Sequence, residues 1–109
     1  MAGGHPKAWT DVLAERQRQV LEEGWGDLHD DAHRSGQLAN AAAVYAMTGS
    51  STGRTSWDRG QEPSLIEQIW PWDWSWFKPT GSPRRDLIKA GALILAEIER
   101  LDRATGSPS

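Results

Sequence analysis

Residues 82–103, SPRRDLIKAGALILAEIERLDR, carry the strongest periodic pattern in the sequence. Ser82 followed by Pro83 is typical of a helix N-terminus, because serine caps the first turn and proline suits its first position. Apolar residues then recur at 4-3-4-3 spacing, which places them on one side of a helix. The pattern predicts a long amphipathic helix that buries this side. The apolar positions are Leu87, Gly91, Ile94, Ile98 and Leu101, with Ile88 and Leu95 widening the stripe.

Gly91 is unusual in the interior of that helix. Glycine there costs about 1 kcal/mol relative to alanine. We therefore expect another backbone to pack closely against this position.

Two further segments have helical periodicity. The first runs from Trp9 to Glu23, with Thr10 as the cap and Gly24 as the stop. Its predicted buried face comprises Leu13, Gln17, Val20 and Leu21. The second begins at Ser35 or Gly36 and ends at Met47, with Leu38, Ala42 and Tyr45 on one stripe. A short helical turn is expected around Leu65 to Ile69.

Three such helices, with no pair of convincing strands, predict an all-α fold: a small bundle of three main helices. A chain of 109 residues suits a single domain, 1–109, with an ordered core at about residues 9–103. Residues 48–64, TGSSTGRTSWDRGQEPS, have almost nothing to bury, and they predict a long Ser/Gly/Thr loop. A loop of that length in a small domain favours a lid or a binding loop.

The composition excludes several classes of protein. The absence of cysteine excludes a disulfide framework, a thiolate zinc site and a cysteine nucleophile. A net charge of −3, with both signs mixed along the chain, does not provide the basic face that binds duplex DNA. The longest apolar run, AGALILA, is far shorter than a membrane span, and no secretory signal is evident. We therefore expect a soluble cytosolic protein without a membrane partner.

Four of the seven tryptophans lie within IWPWDWSWFKP, residues 69–79. Pro71 disfavours a helix, so an extended or turning segment is expected, and in an extended segment residues two apart share a face. Trp70, Trp72, Trp74 and Trp76 would then form an aromatic platform, of the kind that stacks bases or sugars. The alternative is that some of the rings fill the open side of the helical bundle.

Basic residues follow the tryptophans. Lys78 comes first, and Arg84 and Arg85 occupy the first turn of the last helix, where free N–H groups and the helix dipole favour an anion. Two guanidinium groups at that position suit a phosphate, so rings and cations together predict a nucleotide site. Alternatively Asp86, Glu62 or another carboxylate neutralises the arginines.

The motif HDDAH, residues 29–33, is a weaker candidate. His29 and His33 are four positions apart and would face the same side of a helical turn beside Asp30, a composition that can bind a divalent metal. The alternative is a solvated loop in which an aspartate caps a turn.

Acidic residues on the first and last helices suggest a second chemistry. Glu22 and Glu23 lie on the first helix, and Glu99 and Asp102 lie on the last. Carboxylates on two facing helices can hold magnesium over a phosphate chain. Neighbouring arginines equally predict an outer face covered with salt bridges.

Four strings, ERQRQVLEEGW, HDDAH, WPWDWSWFKP and RRDLIKAGALILAEIERLDR, together resemble a family of small accessory proteins of tailed phages and prophages. The resemblance covers roughly Leu13 to Arg103. It implies action in the cytoplasm of a bacterial host, where such proteins alter nucleotide pools or sequester immune signalling nucleotides. The chain is more loosely similar to MazG-type all-α pyrophosphohydrolases, which implies a magnesium site, although QLANAAAVYAM lacks the acidic residues expected on their second helix.

The leading hypothesis is a non-catalytic, homo-oligomeric binder of a nucleotide-type ligand, acting as a sponge for a host signal and needing no cofactor. The predicted ligand-binding residues are Trp70, Trp72, Trp74, Trp76, Lys78, Arg84 and Arg85. One alternative is a magnesium-dependent nucleoside triphosphate pyrophosphohydrolase that uses Glu22, Glu23, Glu99 and Asp102. Another is an interaction module whose tryptophan face inhibits a host protein.

Overall fold

The computed structural model describes residues 4–50 and 65–106, and this part of the chain is all-α, as predicted. The longest helix lies between the other two main helices and contacts both. Most of the predicted loop, residues 51–64, lies outside the described residues. The helices are α1 (Lys7–Glu22), α2 (Asp27–Asp31), α3 (Gln37–Thr48), α4 (Leu65–Ile69) and α5 (Pro83–Ala104), with a 3₁₀ turn at Trp74–Trp76.

The apolar core lies mainly between α3 and α5. The predicted stripe of α3 is confirmed, since Leu38, Ala42 and Tyr45 are all buried. The two helices approach closely near the end of α3, where a Cβ on Gly49 would lie 2.7 Å from Leu87 Cγ and 2.9 Å from the Pro83 carbonyl oxygen. Only glycine leaves room for this contact. The core residues of α3, α4 and α5 are Leu38, Ala41, Ala42, Val44, Tyr45, Ile66, Ala90, Leu93 and Ala96, joined by Trp70.

Helix α5 begins as predicted but buries a different side. The Ser82 hydroxyl accepts a hydrogen bond from the Arg85 amide, and Pro83 is the first helical residue. Four residues of the predicted stripe remain 48–49% exposed: Leu87, Ile94, Ile98 and Leu101. The predicted buried side is therefore wrong. Neighbouring helices pack instead on the sides that carry alanines, because small residues let backbones approach. Buried there are Ile88, Ala90, Ala92, Leu93 and Ala96, with Asp86 and Arg100.

Helix α1 also differs from the prediction. It starts at Lys7, so Thr10 lies inside the helix and its hydroxyl donates to the Lys7 carbonyl. Its buried residues are polar (Glu15, Arg16 and Gln19), whereas Leu13, Gln17, Val20 and Leu21 are exposed. The expected end of the helix is confirmed, since Gly24 follows it with a φ of 76°.

The contact between α1 and α5 explains why polar residues of α1 are buried and most of its large apolar residues are exposed. Val12 packs on Gly91, where an added Cβ would lie 3.2 Å from Val12 Cγ1. The expectation that another backbone packs at Gly91 is therefore wrong, because the nearest atoms belong to this side chain. Ion pairs of Arg16 with Glu99 and of Glu15 with Arg85 also join the two helices, and they require polar residues of α1 to face α5.

Arg16 is the centre of this ionic contact. Its guanidinium is 2.7 Å from the Asp30 carboxylate, 2.8 Å from that of Glu99 and 3.2 Å from the Trp25 carbonyl oxygen. Arg16 and Asp30 are both buried. On the other side of α2, Arg103 contacts Asp31 at 2.9 Å. Two arginines, one from α1 and one from α5, therefore hold α2 in place.

Within residues 4–50 and 65–106, no helix is both long enough and apolar enough to cross a bilayer.

We expect Arg16→Ala to lower the free energy of unfolding by about 3 kcal/mol or more, because it removes the cation from the buried Asp30 carboxylate and leaves the His29 ring beside it. Urea denaturation followed by circular dichroism would measure this loss. The matched control is Lys7→Ala, which removes an exposed ion pair with Asp11 and should cost less than about 1 kcal/mol. Equal losses in the two variants would show that the buried cluster is not a special source of stability.

Candidate functional site

The tryptophan segment is not extended throughout. The Asp73 carboxylate accepts a hydrogen bond from the Ser75 amide at 2.8 Å and caps the 3₁₀ turn Trp74–Trp76. The turn breaks the two-residue alternation, so the four rings do not share one face as predicted.

Trp70 belongs to the core. It is buried, contacts Tyr45 edge-on and donates its indole N–H to the Asp73 carbonyl oxygen at 3.1 Å. The exposed ring of Trp74 stacks on it, with centroids 6.2 Å apart. For Trp70, the alternative interpretation is therefore correct, because its ring fills the open side of the bundle.

Trp72 and Trp76 instead line an open pocket of about 330 Å³. The α1–α2 connector and α2 contribute the opposite wall. There the rings of Trp25 and His29 stack almost parallel, at 5.6 Å and 7°. His33 makes edge contacts with His29 and with Trp72, at 4.7 and 5.2 Å. The aromatic pocket is thus lined by Trp25, His29, His33, Trp72 and Trp76, together with the acidic residues Glu23 and Asp73.

Polar groups at the aromatic pocket offer both donors and acceptors. Trp72 Nε1 is buried and finds no hydrogen-bond partner in the described part of the chain. Hydrogen bonds from Ser75 hold the pKa of the Asp73 carboxyl below its ordinary value, so this group is ionised at neutral pH. Glu23 forms an ion pair with Arg18 at 3.1 Å. A ligand in the pocket would therefore meet two imidazole rings and two carboxylates.

The residues of HDDAH form part of this wall and do not form a metal site. His29 Nδ1 lies 3.0 Å from one oxygen of Asp30, whose other oxygen binds Arg16. In residues 4–50 and 65–106, no group of three or more His, Asp or Glu side chains is placed to hold a metal ion. The metal hypothesis for His29, Asp30 and His33 is thus not supported, because the carboxylate it needs is already engaged.

A basic cleft adjoins the aromatic pocket and shares Glu23, Trp25 and Trp76 with it. The cleft is small, about 20 Å³, and its cationic residues are Arg18, Lys78 and Lys89, of which Arg18 pairs with two carboxylates that also line it. Lys78 donates its backbone N–H to the Tyr45 hydroxyl, and its amine lies 6.0 Å from the centroid of the Trp76 ring. Burial lowers the pKa of Lys89, whose amine donates to the Lys78 carbonyl oxygen at 2.8 Å. The predicted association of Lys78 with a tryptophan is therefore observed at Trp76.

Arg84 and Arg85 lie in an arginine cleft of about 390 Å³, which shares Glu15 and Arg18 with the basic cleft. Arg84 contacts Asp11 at 2.9 Å, and Arg85 donates to the Glu15 carboxylate, which also binds Arg18. The interpretation that carboxylates neutralise these arginines is therefore correct, but its partners differ. Asp86 instead accepts hydrogen bonds from Thr80, and Glu62 lies outside the described residues.

The buried carboxylate of Glu15 remains charged. Burial by itself would raise its pKa, but the hydrogen bond from Arg18 and the charges of Arg18 and Arg85 outweigh this effect and lower the pKa. Arg18 and Arg85 thus contact a carboxylate that is ionised at neutral pH, which weakens the attraction of these two arginines for a phosphate.

The acidic residues of the enzyme alternative are not brought together. Glu22 is exposed on α1, and Glu23 pairs with Arg18. Glu99 pairs with Arg16, and no metal-binding group includes Asp102 among the described residues. Ion pairs with nearby arginines, and not a shared metal, account for the contacts of Glu23 and Glu99. The magnesium site predicted from these four residues is therefore not formed.

Trp25 lines the site although it was not predicted to do so, because it lies in a polar connector. Trp25, His29 and His33 are spaced four residues apart. In a helix that spacing places three rings on one side, and here only His29 lies within α2 itself. The signal was present in the sequence and would have indicated an aromatic wall.

We expect the free energy of unfolding to fall as the pH drops below about 6.5, partly because of His33. Burial first, and then the charge of His29, lower the pKa of His33, against a smaller opposite effect of Asp30. The unfolded chain consequently takes up this proton at a higher pH than the folded protein does, which favours unfolding in acid.

Urea denaturation between pH 7 and pH 5 would measure the effect. His33→Gln should make stability depend less on pH than in the wild type, and the exposed His5→Gln variant should not. If His33→Gln retained the full wild-type pH dependence, His33 would not contribute to it.

No family model, curated protein or solved structure matches the chain. The functional interpretation therefore rests on the aromatic pocket and the basic cleft beside it.

Proposed function

We propose that the protein binds a nucleotide-type ligand, with the base in the aromatic pocket and the phosphate toward the basic cleft. The observation that carries this proposal is a cavity of about 330 Å³ whose walls include five aromatic rings. That volume is near the lower end of the range for small-molecule sites. Exposed tryptophan faces favour planar bases, since stacking contributes about 1–3 kcal/mol per base.

The polar groups of the aromatic pocket favour particular bases. The Glu23 and Asp73 carboxylates can only accept, and they suit bases that carry an exocyclic amino group. Adenine, guanine and cytosine should therefore bind better than uracil.

The phosphate contacts differ from those expected on the sequence alone. Lys78, Lys89 and Arg18 adjoin the aromatic pocket, whereas Arg84 and Arg85 line the arginine cleft beyond Arg18. Because the basic cleft is too small to admit a phosphate, a mononucleotide would place its phosphate at the mouth of the cleft, near the exposed Lys78. A dinucleotide or a cyclic oligonucleotide would extend toward Arg84 and Arg85.

Binding without cleavage fits the positions of the acidic residues. Glu22, Glu23, Glu99 and Asp102 do not assemble around a metal, and arginines occupy two of them. The ligand would then be released intact. In the cytoplasm of a phage-infected bacterium, such a protein would act as a sponge that lowers the free concentration of a signalling nucleotide.

Isothermal titration calorimetry against nucleoside monophosphates, nucleoside triphosphates and cyclic dinucleotides would test the proposal, with each ligand recovered and checked for cleavage. Trp76→Ala should weaken binding by about tenfold or more, because it removes a stacking face. The matched control is Trp74→Ala. Trp74 is similarly exposed in the same turn but does not line the aromatic pocket, so binding should be nearly unchanged.

Three other outcomes would contradict the proposal. Tight binding of tetramethylammonium, but of no nucleotide, would identify the rings and carboxylates as a cage for cations and overturn the proposal. Equal losses in the two variants would exclude the aromatic pocket as the binding site. Magnesium-dependent cleavage that is lost on Glu22→Gln would instead establish the pyrophosphohydrolase.

A further inference from the structure

Four of the seven leucine and isoleucine side chains of α5 are only half covered by the bundle. Leu87, Ile94, Ile98 and Leu101 are each about half exposed, and their spacing places them on one side of the helix. We call these four residues the α5 stripe. On a helical projection the stripe lies opposite Arg85 and Lys89, which face the arginine cleft and the basic cleft. The proposed ligand site and the stripe therefore occupy different sides of α5.

Exposed residues of α1 extend the α5 stripe. Val12 packs on Gly91, which lies between Leu87 and Ile94 in the sequence. Beside Val12, Leu13 is 56% exposed, and Trp9, one turn earlier, is 63% exposed. Together with the stripe they present roughly 600 Å² of apolar surface, at the upper limit of the patches that monomers expose.

The described part of the chain leaves this surface open, and the remaining segment is poorly suited to cover it. Residues 51–64 contain one tryptophan and no Val, Ile, Leu, Met or Phe. Such a composition offers little to pack against four turns of aliphatic side chains.

The spacing of the α5 stripe identifies what would fit. Its residues are 7, 4 and 3 positions apart and belong to a 4-3-4-3 repeat whose remaining position, Gly91, is covered by Val12. Such a repeat is the pattern by which one helix packs along another helix with the same repeat. We propose that a second copy of this chain covers the stripe, with α5 packed against its counterpart around a two-fold axis. The pair would bury on the order of 1,200 Å², the lower end of the range for specific interfaces. The aromatic pocket would stay open in both copies, so this inference does not depend on the proposed function.

Sedimentation equilibrium and light scattering, from low to high micromolar concentration, would test the proposal. The wild type should approach twice its mass of 12.1 kDa. Ile94→Glu and Ile98→Glu should each remain monomeric, because they place a charge in the centre of the interface. Since both side chains are already half exposed, the helical circular dichroism spectrum should be retained.

Leu21→Glu is the matched control. Leu21 is 82% exposed on α1 and, on a helical projection, points away from α5, so the same substitution should leave the mass at twice that of one chain. A monomeric wild type at the highest concentration would overturn the proposal. So would a mass above two chains, or an Ile94→Glu variant that associates as strongly as the wild type.

A cross-linking experiment gives a second readout that does not depend on a loss of association. Because the chain has no cysteine, Ile94→Cys introduces a single thiol per copy. A short bismaleimide should join two copies of this variant and should not join copies of Leu21→Cys. Equal cross-linking of the two variants, or of neither, would contradict pairing through α5.

Discussion

The guanidinium of Arg16 is buried where α1, α2 and α5 meet, and the arrangement of these three elements depends on it. Its planar set of donors reaches the Asp30 and Glu99 carboxylates and the Trp25 carbonyl oxygen at the same time. Asp30 also holds His29, which stacks on Trp25. One wall of the aromatic pocket is therefore positioned by an ion cluster and not by the apolar core. A pocket built this way keeps its rings available to solvent, because they are not needed to fill the interior.

The helices could be predicted from the sequence, but the side that each helix buries could not be predicted reliably. Ser82, Gly24 and the stripe on α3 are local signals, and each produced the expected feature. Periodicity states which residues share a side of a helix, but not whether a neighbour packs there. Helix α5 therefore buries alanines and exposes Ile94, because close backbone approach depends on small residues and ion pairs at other positions.

In the candidate site, too, a contact between residues close in the sequence could be predicted, whereas a contact between distant residues could not. The prediction that rings and cations lie together holds for Trp76 and Lys78, which are near each other in the sequence. It fails for Arg85, because the carboxylate that neutralises it, Glu15, is 70 positions away. The 3₁₀ turn at Trp74 also depends on a local cap by Asp73 that a two-residue alternation does not reveal. The candidate site therefore differs from the prediction for two reasons: ion pairs form between distant residues, and a 3₁₀ turn interrupts the tryptophan segment.

The net charge limits how an anionic ligand would be captured. With a formal charge of −3 and carboxylates beside most of the arginines described here, the protein offers little long-range attraction to a phosphate. Affinity would have to arise from contacts made after arrival, and the association rate should change only modestly with ionic strength. This distinguishes the site from the basic surfaces that collect nucleic acids by electrostatic steering.

The ion pair between Arg16 and Glu99 also has a consequence for the order of folding. The two residues are 83 positions apart, and the helix that carries Glu99 contributes to the contacts of both α1 and α3. In a nascent chain that has emerged only as far as α3, Arg16 would lack the Glu99 carboxylate. The alanine-rich face of α3 would lack the helix on which it packs. Stable tertiary structure should therefore form only once α5 has left the ribosome.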